Sequence, residues 1–196
     1  MIRAIHLCAF WILIAGAASG LVGCGSSPSM PTYRPESMAQ EAFRLFDTNN
    51  DGKLDAGELK QCPALADALT ILDANNDKCI DETELVTALA SFVRQNALNN
   101  IEITVKRGGK ALAGATVRLI PEEFMMNAIQ PATGVTNSQG VARPTIEGQK
   151  LPGMSWGFYR AEITSDRETI PAKYNTQTML GKMIGFRWHG WMIELD

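Results

Sequence analysis

Asp47-Thr48-Asn49-Asn50-Asp51-Gly52-Lys53-Leu54-Asp55-Ala56-Gly57-Glu58 carries oxygen-bearing side chains at a spacing that decides how the first half of this chain must fold. Counted from Asp47, positions 1, 3 and 5 are Asp47, Asn49 and Asp51. Lys53 at position 7 would offer its backbone carbonyl, so its side chain is free to vary. Asp55 at position 9 would bind directly or through a water, and Glu58 at position 12 can offer both carboxylate oxygens. Six to eight oxygens of this kind suit Ca²⁺, a hard cation. Gly52 at position 6 permits the sharp turn that folds the loop around an ion. Leu54 at position 8 is the apolar residue expected to face a partner loop. The competing reading is an Asp/Asn-rich surface turn.

A second loop starts 26 residues later at Asp73. Asp73, Asn75, Asp77, Asp81 and Glu84 fill positions 1, 3, 5, 9 and 12, with the Cys79 carbonyl at position 7 and Ile80 at position 8. Lys78 stands where glycine is expected, which requires a positive φ at a cost of about 1 kcal/mol or more. The oxygen donors are intact, so the loop reads as a weaker site; the alternative is a degenerate loop kept to pair with the first. Leu54 and Ile80 should form a short antiparallel bridge between the loops. Helical periodicity flanks both. Ser37 and Gln40 suggest a capping box before Met38, Ala42, Phe43, Leu45 and Phe46. Pro63 should stop the helix leaving the first loop. Leu65, Leu69 and Leu72 enter the second loop, and Leu85, Leu89, Phe92 and Val93 leave it. Over 37–96 the chain resembles the EF-hand family, which implies a helix-loop-helix pair. The short internal helices, without a methionine-rich groove, differ from a calmodulin-type sensor.

The N-terminus suggests where this pair works. Arg3 precedes an apolar run from Ile5 to Ala18 of signal-peptide length, too short for a stable membrane span. Leu21-Val22-Gly23-Cys24 resembles the lipobox of bacterial lipoproteins, which implies a signal peptide over 1–23 and a lipidated Cys24 anchored in a membrane. Residues 24–36, opening Gly25-Ser26-Ser27-Pro28-Ser29, read as a flexible tether. The absence of an acidic residue at Gly25 favours, by the same resemblance, an exported protein at the outer rather than the inner membrane.

The chain carries a net charge of −3, distributed unevenly. Residues 39–96 hold 11 acids against 5 bases, whereas 97–196 hold 9 acids against 11 bases. Calcium would neutralise the acidic half, linking metal to its folding. No basic patch points to nucleic acid. With Cys8 in the signal and Cys24 lipidated, Cys62 and Cys79 remain in an oxidising compartment. They would either close a disulfide loop of about 17 residues, worth on the order of 3 kcal/mol, or stand as separate thiols. Two cysteines and one histidine do not make a zinc site. His6 lies in the signal, so His189 is the one histidine left, and no histidine-based triad can be assembled. The chain therefore reads as a non-enzyme.

Residues 100–196 read as β structure. Ile101–Lys106, Ala115–Ile120 and Gly157–Thr164 alternate with period two, Gly134–Ala142 looks like a hairpin, and Met192–Leu195 is expected to be the last strand. Short strands at this spacing suggest a sandwich. Leu112-Ala113-Gly114-Ala115-Thr116-Val117, Thr136-Asn137-Ser138-Gln139-Gly140 and Gly157-Phe158-Tyr159-Arg160-Ala161-Glu162-Ile163 together resemble the carboxypeptidase-regulatory-like domain. That resemblance implies a transthyretin-like accessory sandwich without peptidase activity. The Glu122–Thr133 and Leu151–Trp156 stretches depart from its pattern.

Three features of this half invite functional readings. Phe186, Trp188 and Trp191 around His189 would suit a glycan or partner surface, although one strand alternating core and edge aromatics is the simpler account. Met125 and Met126 are expected to pack a long loop. Glu122 and Glu123 are expected to form a solvated acidic turn. The fold expected is thus α then β: an EF-hand pair followed by an antiparallel immunoglobulin/transthyretin-like β-sandwich. The function expected is Ca²⁺ binding in a lipid-anchored envelope protein with a structural or adhesive sandwich. The alternatives are a calcium-responsive module for an envelope peptide, protein or glycan, and an enzyme of unnamed substrate.

Overall fold

The protein is described by a computed structural model covering residues 31–95, 98–149, 152–185 and 190–196. The expected signal peptide over 1–23, Cys24, Phe186, Trp188 and His189 lie outside these described residues.

Helices occupy the first half and strands the second. Helix α1 runs Pro35–Phe46 and α2 runs Pro63–Leu72, each with a proline in its first turn, where the missing N–H costs no intrahelical bond. The capping box expected from Ser37 and Gln40 does not form. The helix begins at Pro35, with Arg34 as an N-cap that makes no side-chain bond. Helix α3, Glu82–Val93, does carry a capping box: Asp81 accepts from the Glu84 amide at 2.8 Å, and Glu84 accepts from the Asp81 amide at 2.9 Å. Between α1 and α2 the chain forms β1, Lys53–Leu54, and a 3₁₀ turn, Glu58–Gln61. Pro63 thus separates two elements, as expected, and opens the second. Strand β2, Ile80–Asp81, pairs antiparallel with β1, setting Leu54 opposite Ile80. Both side chains are fully buried, so the expected bridge between the loops is present.

The second half contains β3 (Glu102–Arg107), β4 (Lys110–Ala111), β5 (Ala115–Pro121), β6 (Ala132–Val135), β7 (Val141–Ala142), β8 (Thr145–Ile146), β9 (Gly157–Ser165), β10 (Gly181–Ile184) and β11 (Gly190–Leu195). One sheet has the order β10-β9-β5-β6-β8 and is antiparallel throughout. The other has the order β11-β3-β4, with β7 also paired to β3. Two expectations are corrected here. Strand β11 runs parallel to β3, pairing Ile193 with Val105, so the arrangement is not wholly antiparallel. Gly134–Ala142 is not a hairpin: β6 pairs with β5, and β7 pairs with β3 in the other sheet. Asn137 turns the chain between them, its side-chain oxygen accepting from the Gln139 and Val141 amides.

Buried side chains from the helices and both sheets belong to one hydrophobic cluster. Phe92 of α3 meets Trp156 and Phe158 with ring centroids 6.2 and 5.8 Å apart. Phe46 of α1 meets Phe124 at 6.4 Å, and Phe124 meets Phe158 at 5.3 Å. Helix α2 packs on β10, where Lys182 bonds Asp67 at 2.7 Å. Side chains of this size contribute roughly 1.5–3 kcal/mol each on full burial, so the two halves stabilise one another. Tyr33, assigned to the tether by sequence, is seated here too: its hydroxyl donates to the Trp156 carbonyl at 2.7 Å.

Glu122 departs most from expectation. It is not solvated but 3% exposed, accepting from the Ala64 amide at the start of α2 and lying 3.5 Å from Arg160. Met125 is buried, as loop packing requires, while Met126 is half exposed.

Candidate metal centre

Each loop is held in shape by its own candidate ligands. In the first, Glu58 turns inward and is 6% exposed; its Oε1 accepts from the Thr48 amide at 2.8 Å and the Asn49 amide at 3.3 Å, and its Oε2 from the Asp55 amide at 3.1 Å. Asp47 accepts from the Asp51 amide at 3.2 Å and the Gly52 amide at 3.0 Å. Asn49 also accepts from Asp51, and Asp51 from the Lys53 amide, both at 2.9 Å.

The second loop repeats this set position for position. Glu84 Oε1 accepts from Ala74 and Asn75, and its Oε2 from Asp81. Asp73 accepts from Asp77 and Lys78, Asn75 from Asp77, and Asp77 from Cys79. Positions 4 and 6 take the left-handed conformation in both loops: Asn50 and Gly52 at φ 59° and 79°, Asn76 and Lys78 at φ 62° and 68°. Asparagine enters this region more readily than most residues. Lys78 therefore adopts the expected strained conformation, and the loop closes around it.

Electrostatics follow from these bonds. Burial pushes the Glu58 carboxyl up, but the amides of Asp55, Thr48 and Asn49 outweigh it and hold it below the ordinary carboxylate value. Lys53 Nζ lies 2.7 Å from Asp77 Oδ2, which raises the lysine and lowers the carboxyl.

The donor set is chemically suited to calcium: both loops supply side-chain oxygens, with the Lys53 and Cys79 carbonyls at position 7. Their positions are less suited as they stand. Among the described residues, no three His, Cys, Asp or Glu side chains form a group that could hold a metal ion. The carboxylate oxygens accept from loop amides, and each keeps lone pairs that a cation could share. The structure thus brings Asp47, Asn49, Asp51, Asp55 and Glu58 into one loop, and Asp73, Asn75, Asp77, Asp81 and Glu84 into its pair. The amide donors at position 2 and the asparagines at position 4 were missed by sequence reading, although Asn50 and Asn76 at matching positions were a visible signal.

The disulfide alternative is corrected. Cys62 and Cys79 are free. Cys62 is buried at the start of α2, where burial and the neighbouring Glu122 push its thiol well up. Cys79 is part-exposed in the second loop, its thiol raised by desolvation and the nearby Asp77.

Residues 38–66 match a family model described as the EF-hand domain. That segment takes in most of α1, the whole first loop and the start of α2, and it supports calcium binding there. The second loop and the β half lie outside the match. No curated protein and no solved structure matches the chain.

Proposed function

We propose that this chain is a calcium-binding, non-catalytic protein of the bacterial cell envelope, held by a lipid on Cys24, in which two paired EF-hand loops brace a structural or adhesive β half. The observation that carries the reading is the matched bond set of the two loops, joined by the Leu54–Ile80 bridge, with an EF-hand domain match over the first. The anchor rests on the Leu21–Cys24 pattern, and the transthyretin-like reading on the motifs at Leu112, Thr136 and Gly157. Extracellular calcium is abundant and steady, which suits a permanent clamp better than a switch. The packing of Phe46 of α1 against Phe124, and of Phe92 of α3 against Trp156 and Phe158, favours the same reading.

Titration calorimetry and thermal melting of the full chain in detergent test this. Heat of binding and a higher melting temperature are expected at millimolar calcium, the range typical of extracellular sites (~10⁻⁴–10⁻³ M). Asp47→Ala should remove the first loop's share of both. No heat and no melting shift would sink the proposal.

A second reading has one observation in its favour. A cavity of about 490 Å³, mostly apolar, lies between α2, α3 and β10, lined in part by Ile71, Leu72, Ala88, Phe92 and Met183, with Glu84 of the second loop on its wall. A calcium-responsive binder would use such a seat. Calcium-switched retention on an envelope-extract column would favour it over the clamp.

A further inference from the structure

The two loops are alike in their backbone bonds and unlike in one side chain. Position 7 is Lys53 in the first loop and Cys79 in the second. The β1–β2 register sets Lys53 opposite Asp81, and the lysine side chain crosses to the second loop, where Nζ meets Asp77 Oδ2 at 2.7 Å. The other oxygen, Oδ1, already accepts from the Cys79 amide at 3.0 Å. Asp77 is position 5 of the second loop, and both its oxygens are therefore engaged. Among the described residues no ammonium pairs with Asp51, the matching residue of the first loop, and Cys79 has none to send back. Asp51 Oδ2 accepts instead from Asn49 within the same loop at 3.0 Å.

We propose that Lys53 is a resident counterion for the second loop, lowering that loop's calcium affinity, so that the first loop fills first and the second fills only as the ammonium leaves Asp77. The inference rests on the calcium reading above and deepens it. An ammonium and a divalent cation cannot share one carboxylate without strong mutual repulsion. The pair is largely exposed, with side chains 48% and 30% accessible, so water and salt weaken it. The affinity difference it sets is accordingly moderate, roughly two- to fivefold. Because the same residue offers its carbonyl to the first loop and its ammonium to the second, it ties the order of filling to a single side chain.

The test is a calcium titration of the full chain in detergent, followed by nuclear magnetic resonance. The amides of Asn49 and Gly52 report the first loop, those of Asp77 and Cys79 the second, and the Lys53 Nζ resonance the ion pair. Lys53→Gln keeps a side chain that leaves the backbone carbonyl in place. Lys110→Gln removes the same charge from β4 in the β half. In Lys53→Gln the second loop should tighten roughly two- to fivefold while the first loop holds its affinity. The gain should shrink at high salt, and Lys110→Gln should leave both loops as they were. In the unaltered chain, the Lys53 Nζ resonance should shift with the second loop's amides. An unchanged or weakened second loop in Lys53→Gln, both loops moving together, or a Nζ shift that follows the first loop alone would overturn the inference. If the first loop binds and the second binds in neither protein, the inference falls while the calcium reading stands. If no loop binds in any variant, both fall.

Discussion

Gly181 of β10 lies against the first turn of α2 so closely that a Cβ on it would stand 2.1 Å from the Ala64 nitrogen and 2.2 Å from the Pro63 carbonyl carbon. Both obstacles are backbone, so neither can swing aside. Gly181→Ala should therefore push α2 off β10 and cost about 1–3 kcal/mol, the range for overpacking a filled core. Gly190→Ala is the matched control, because its added Cβ would only touch the Glu102 carbonyl oxygen at an ordinary 3.4 Å. Urea unfolding followed by tryptophan emission reads the contact, since Trp156 is buried beside Phe92. Equal midpoints for the two variants would contradict the close approach.

Glu122 offers a second handle on the same boundary. Burial pushes its carboxyl up, and Arg160 and the Ala64 amide offset that only in part. Its folded value therefore lies above its unfolded one. The folded state then holds the proton more tightly, so stability falls as pH rises from the ordinary carboxylate range through the raised value. Cys62 and Arg160 are the other titratable groups facing it. Glu122→Gln keeps an acceptor for the Ala64 amide and cannot ionise. Its stability relative to the unaltered chain should grow with pH across that window, by at most about 1.4 kcal/mol per pH unit, and then level off. Glu122→Ala leaves the amide without its acceptor and should cost about 1–3 kcal/mol. Urea midpoints at pH 4 and 7.5 check both. A Gln advantage that shrinks with rising pH would refute the sign.

These two contacts mark what could be read from sequence and what could not. The loops were legible because their chemistry is local: oxygens at fixed offsets, a glycine at a turn, an apolar residue at position 8 of each. Leu54 and Ile80 could be matched by position alone. Strands whose side chains largely alternate, such as Ala115–Pro121 and the later part of Gly157–Ser165, were legible for the same reason. The parallel pairing of β11 with β3 joins residues about ninety apart, and no local pattern encodes its direction. Glu122-Glu123 looked like a polar turn because its burial depends on α2 arriving from 58 residues away. Tyr33 was assigned to a tether because its partners, Phe92 and Trp156, are also remote, the second by 123 residues. Val141–Ala142 was misassigned because two adjacent short strands can pair with each other or separate into different sheets, and turn residues suit either outcome.

The thiols should react at very different rates. Cys62 is buried and its pKa is pushed up by burial and by Glu122, so little reactive thiolate exists in the folded state. Cys79 is part-exposed and reachable. Alkylation of the folded, unreduced chain with iodoacetamide, read by peptide mass spectrometry, should label Cys79 at least about tenfold faster than Cys62. Unfolding in urea without reductant should bring the two rates together. A Cys62–Cys79 cross-linked peptide in place of two labelled ones would restore the disulfide.

Lys78 and Gly52 occupy the same corner of their loops, at φ 68° and 79°. The left-handed conformation costs a side-chain-bearing residue roughly 1–2 kcal/mol, while glycine loses roughly 0.5–1 kcal/mol more entropy on folding than alanine. The first term outweighs the second, so Lys78→Gly should stabilise the calcium-free protein by about 0.5–1 kcal/mol. The reverse change is Gly52→Ala. A Cβ there meets nothing within 4 Å, so its cost is conformational and not steric. It should destabilise by a similar amount, about 0.5–1 kcal/mol. Urea denaturation in chelator isolates the backbone effect from metal binding, and the same pair repeated in millimolar calcium adds the effect on each site. Lys78→Gly also removes an ammonium from beside the second loop, so its advantage should widen in calcium. A Lys78→Gly protein no more stable than its parent in chelator would mean that the lysine side chain makes contacts that compensate its strained backbone.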